Sequence, residues 1–114
     1  MEENIGQVTI APGVLVTIVQ KTASSIAGVA RLSLHVPGVE RLLGLQTVGQ
    51  GVKVSVVGHQ VSVDVYLIAL RGFDLLEMGH QIQRQVTRAI HEITGMDVRE
   101  VNVHIEDIVA SLAT

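Results

Sequence analysis

The stretch GVKVSVVGHQVSVDVYLI, residues 51–68, alternates apolar and polar side chains on both sides of a single break. Val52, Val54 and Val56 alternate with Lys53 and Ser55. Val61, Val63, Val65 and Leu67 alternate with Ser62, Asp64 and Tyr66. A period of two is the pattern of a strand with one buried face. Gly58-His59 separates the two runs, with glycine where a type II′ turn requires it. The stretch therefore predicts an antiparallel hairpin with valines inward and a polar face outward.

Downstream, Arg71-Gly72 ends the second strand. Asp74 is placed to cap a helix, with Glu77 three residues on as in a capping box. Leu75, Gly79, Ile82, Val86, Ala89 or Ile90, and Ile93 predict its apolar stripe. Gln81, Gln83, Arg84, Gln85, Arg88, His91 and Glu92 then line its wet side, and Gly95 stops it. Val101, Val103 and Ile105 form a last alternating strand, with Asn102, His104 and Glu106 turned the other way. Residues 108–113 read as a short helical tail.

Upstream, Ile5, Val8 and Ile10, with Gln7 and Thr9 between, predict a short strand over residues 5–10. Pro12 begins a helix that the apolar spacing carries over residues 12–27, ended at Gly28. Residues 29–34 read as another short strand. Val36-Pro37-Gly38 is a break, and residues 39–45 form one or two helical turns. Gly44, Gly49 and Gly51 suggest a flexible connection into the hairpin. This order predicts an α+β fold in one domain, residues 1–114. It is a small mixed β-sheet of four to five strands with two main helices packed on one face.

Composition narrows the function. The 114 residues carry a net charge of −3, one Phe, one Tyr, no Trp and no Cys. Disulfides, thiolate nucleophiles and cysteine zinc sites are excluded. Base stacking has few aromatics to work with, and an acidic balance repels phosphate unless basic residues cluster. No stretch is long and apolar enough to span a bilayer, and the first residues lack the positive region of a signal peptide. The expected location is the cytoplasm, with a partner holding the chain if it meets a membrane.

The search for chemistry returns little. His80 and His91 are eleven residues apart, and His35, His59 and His104 each stand alone, so no metal spacing emerges. Ser62, Asp64 and His104 echo a catalytic triad if the last strand lies beside the hairpin, but an open sheet face lacks oxyanion donors and a pocket. No phosphate-binding glycine loop occurs. The expectation is no enzyme, no catalytic or metal residues and no cofactor. Two surfaces remain for interaction: the sheet face with Asp64, Tyr66 and His104, and the helix face with Arg84 and Arg88. A small RNA-binding module working through Arg84 and Arg88 is the alternative.

Several fragments together resemble the alkaline-shock / general-stress envelope protein family of Gram-positive and related bacteria. They are Gly6-Gln7-Val8-Thr9-Ile10, Ile26-Ala27-Gly28-Val29, and the hairpin itself. Gly72, Leu75, Glu77, Gly79, Ile82, Gln83 and Val86 follow the family's helix pattern. Thr94, Gly95, Met96, Val98, Val101, Asn102 and Val103 follow its last strand. The resemblance covers the chain apart from about residues 34–50. It implies a cytoplasmic, non-enzymatic protein linked to envelope stress. It also implies homo-oligomers beneath the membrane, held by a separate membrane-anchor protein.

Overall fold

The hairpin forms in the register its alternation demands. In the structure, a computed structural model that describes residues 5–34 and 46–111, Val52–Val57 (β3) pairs antiparallel with Gln60–Leu70 (β4). Val52 faces Val65, Val54 faces Val63 and Val56 faces Val61. Gly58 supplies the positive φ of the two-residue turn, +62°, and no non-glycine residue has positive φ among the described residues. That combination fits the II′ geometry, whose first central residue alone needs it.

β4 organises the remaining strands. Along one edge it carries β3 and, beyond it, Val29–Leu32 (β1), also antiparallel, with Val29 opposite Ala69 and Leu32 opposite Leu67. Along the other edge runs Asp97–Val109 (β5), parallel to β4 from Gln60 through Leu70. Gln46–Gly49 (β2) pairs antiparallel with β3. The sheet is five-stranded and mixed.

β1 and β3 lie end to end beside β4, and Tyr66 sits at their junction. Its carbonyl accepts from the Ser33 N–H and its N–H donates to the Gly51 carbonyl, at 2.8 and 2.7 Å. The junction has no room for a side chain. A Cβ on Gly51, whose φ is +68°, would lie 2.7 Å from Leu32 Cβ and 2.8 Å from the Tyr66 oxygen.

Both helices cover the same face. Pro12–Ser24 (α1) buries Leu15, Val16, Ile18, Val19 and Ala23 and packs against β1, β2 and β3. Leu75–Thr94 (α2) crosses from β4 to β5, buries Met78, Ile82, Val86 and Ile90, and packs against β5 and α1. Asp74 caps it, accepting from the Glu77 N–H at 3.0 Å, and the Gly95 N–H closes its far end on the His91 carbonyl. Val52, Val54, Val61, Val63, Val65 and Leu67 complete the core from the sheet.

The structure corrects five expectations. Residues 5–10 form no strand, since no strand lies alongside to bond them, and Ile5 and Val8 are exposed. The first helix stops at Ser24, and residues 25–28 form a turn. The glycine-marked connection contains a strand, β2, because β3 offers it an edge. Ile108 and Val109 continue β5 instead of starting a helix, because β4 extends far enough to pair them. Ile93 is 65% exposed, and Met78 takes the place in the stripe that spacing gave to its neighbours. Residues 39–45 and the end of the tail lie outside the described residues.

The split within α2 is testable. Ile82→Ala removes a fully buried side chain and is expected to cost about 2–5 kcal/mol. Ile93→Ala is expected to change stability by about 0.5 kcal/mol or less. Urea unfolding of both variants checks the pair.

Candidate functional site

The face of the sheet turned away from the helices is built by the even-numbered residues of β4. Ser62, Asp64 and Tyr66 lie in register with Glu100, Asn102 and His104 of β5. Lys53 of β3 faces Asp64 from the other side. Parallel pairing thus sets Tyr66 directly beside His104 and puts Asp64 one step away on the diagonal.

These three side chains meet. The His104 and Tyr66 rings stack with centroids 4.3 Å apart and planes 9° from parallel. His104 Nε2 lies 3.0 Å from Asp64 Oδ1. An ionised carboxylate only accepts, so Nε2 is the donor in this contact. Tyr66 is 7% exposed although no helix covers it among the described residues, and it lies outside the main core cluster. Burial first, then the nearby Asp64 and Glu106 charges, pushes its hydroxyl above the ordinary tyrosine range. Cross-strand contacts of this kind are worth about 0.2–1 kcal/mol each. The patch is small, rigid and flat.

The other predicted surface lies on the opposite side of the molecule. Arg84 pairs with Glu77 and Arg88 with Glu92, each at 3.1 Å, on the exposed flank of α2. The structure therefore brings Asp64, Tyr66 and His104 together and keeps Arg84 and Arg88 apart from them, each bonded to a carboxylate of its own helix. Ser62 does not join His104. It sits four β4 positions from Tyr66, the residue opposite His104, or roughly 13 Å along the strand. The triad echo is not assembled. Among the described residues, no three of His, Asp or Glu gather as a metal-ligand set.

Two apolar grooves escaped sequence reasoning. One, of about 440 Å³, lies between the end of α1 and the start of α2, lined by Ile26, Phe73 and Met78 among others. The other, of about 320 Å³, runs between α2 and the outer side of β5, lined by Leu75, Leu76, Gly79, His80, Val103 and Ile105. Beside it the Gln83 side chain donates to the Val101 carbonyl at 3.1 Å. Only the lack of a side chain at Gly79 hinted at the second groove.

The chain matches, over residues 1–110, the model of the alkaline-shock protein 23 family, described as having a cell envelope-related function. It is 29% identical over 108 residues to the uncharacterized protein YqhY of Bacillus subtilis, covering 94% of this chain and 80% of that protein. It is 28% identical over 109 residues to the uncharacterized protein Spy1535 of Streptococcus pyogenes, covering 95% and 83%. Among solved structures it resembles the MamM-CTD segment 215–293, with a TM-score of 0.52 at 14% identity, covering 85% of this chain and 99% of that one. At that identity the likeness is one of fold alone. No helix among the described residues is long and apolar enough to cross a membrane.

The raised Tyr66 hydroxyl gives a signed pH effect. The folded state keeps the Tyr66 proton past pH 10.0, where the unfolded chain has released half of it, so this contribution to stability is fully present below that pH and is lost as pH rises through the higher folded value. Tyr66→Phe is expected to make the alkaline fall in stability shallower. Thermal melts of both proteins from neutral pH to above pH 10 measure it.

Proposed function

The chain belongs to the alkaline-shock protein family, and on that premise we propose that it is a non-catalytic cytoplasmic scaffold that self-associates and supports cell-envelope stress homeostasis. The observation that carries this reading is the shape of the candidate site. Its ionisable and aromatic groups form a patch on the sheet in which Asp64 bonds to His104 and Tyr66 stacks on the His104 ring. A catalytic centre needs groups left free to act on a substrate, within a cleft that excludes water. The His104 ring, about 42% exposed and held against the buried Tyr66, is a preorganised group that suits a protein contact. A separate membrane-anchor protein is the proposed partner at the inner face of the cell membrane.

The RNA-binding alternative draws no support from the geometry. It relied on Arg84 and Arg88, whose charges are matched by Glu77 and Glu92. The neighbouring carboxylates lower the positive potential that would draw phosphate to this flank.

Light scattering coupled to size exclusion, over a concentration series, tests the scaffold. Mass is expected to rise above that of the monomer as concentration increases. A strict monomer at the highest concentration contradicts self-association, and salt-sensitive binding to single-stranded RNA would favour the alternative.

A further inference from the structure

Two features of the chain lack a counterpart within it. The first is the segment over residues 5–10. Val8 and Ile10 fall on one side of an extended chain, with Gln7 and Thr9 on the other, yet the segment is unpaired. Val8 is 93% exposed and Ile5 87%. The second is the outer edge of β5. Among the described residues this long strand pairs with β4 alone, and on its outer edge the Gln83 side chain takes up the Val101 carbonyl while the stretch beyond it, past Val103 and Ile105, has no strand beside it. An open strand edge is a template for another strand.

The two features match. Val103 and Ile105 turn toward α2 and form one wall of the 320 Å³ groove, with Leu75, Leu76 and Gly79 opposite. Asn102 and His104 turn to the polar face. A strand laid on this edge would place one of its faces over the groove and the other beside the polar row. The segment presents Val8 and Ile10 for the first and Gln7 and Thr9 for the second. We propose that the free edge of β5 accepts residues 5–10 of a second copy of this chain as an added strand. This rests on the self-association proposed above and names its contact.

Charge selects this occupant over a second β5. β5 carries Asp97, Glu100, Glu106 and Asp107 against Arg99, so two such strands side by side repel. Residues 5–10 have no ionisable side chain. Position selects a second copy over the same one. The segment leads into α1, which packs over β1, β2 and β3, whereas the acceptor edge lies past β4 beside α2. Donor and acceptor are different surfaces, so the contact either closes when two copies exchange strands or runs head-to-tail into chains or rings.

The absence of cysteine makes the test direct. Val8→Cys and Ile105→Cys chains are mixed and oxidised, and each is also oxidised alone. The expected product is the mixed disulfide dimer, in excess over either homodimer. Val8→Asp, at an exposed position that leaves the melting temperature unchanged, is expected to weaken association about tenfold or more. Association that persists in Val8→Asp, with no enrichment of the mixed dimer, overturns the strand addition and leaves self-association standing. A wild-type chain that stays monomeric overturns both. A Val8→Cys/Ile105→Cys double variant that closes on itself as a monomer overturns the choice of a second copy.

Discussion

Hydrogen bonding to β4 is the constraint on which the rest of the structure depends. β1, β3 and β5 all bond to this one strand, on its two sides, and β2 reaches the sheet only through β3. Once both edges of β4 are filled, its alternation decides where everything else goes. Val61, Val63, Val65, Leu67 and Ala69 face the helices and are fully buried. Ser62, Asp64 and Tyr66 face away and meet the polar row of β5. A shift of one residue would exchange these two sets, burying Asp64 without a partner and exposing four large aliphatic side chains. The register is therefore fixed by solvation on both faces.

That constraint also explains the candidate site. The stack of Tyr66 on His104 and the bond from His104 to Asp64 exist because β4 and β5 run parallel in a register that sets Tyr66 opposite His104. Residues some forty positions apart in sequence meet without any loop to position them. The cost of a site made this way is that it is flat. Asp64 and His104 stand on the sheet with neighbours beside them and solvent above, so groups that meet there hold one another in place and enclose little volume. This is the physical ground for reading the surface as a contact between proteins.

How much of this was legible in the sequence depended on whether the deciding partner was near in the chain. The β3–β4 hairpin was legible because valine alternation and a two-residue glycine turn are local signals. So were the ends of α2, since Asp74 and Gly95 act within one turn of where they stand. The even-numbered face of β4 was legible too, and with it the candidacy of Asp64, Tyr66 and His104. The ring stack was not, because it requires the β5 register. Residues 5–10 carry a strand pattern that no neighbouring strand completes, and residues 46–49 carry a loop-like composition that β3 turns into a strand. In α2 the buried line advances in strict steps of four, Met78, Ile82, Val86 and Ile90. Ile93 stands about 100° from the next position on that line, so an averaged helical stripe placed it wrongly. The pairing of Arg88 with Glu92 was available from their spacing, as an i,i+4 pair on a helix.

The central claim is that β4 is bonded along both edges while β5 closes the sheet with one edge open. Amide hydrogen exchange, followed residue by residue at a concentration low enough to keep the chain monomeric, measures this most directly. The account predicts that the amides of Val63, Val65 and Leu67 exchange only on global unfolding. Along β5 it predicts slow and fast amides in alternation, because a parallel edge strand turns alternate peptide groups toward its neighbour and toward water. Uniform protection along β5 in the monomer would contradict it, since the outer edge would then be covered by the chain's own residues.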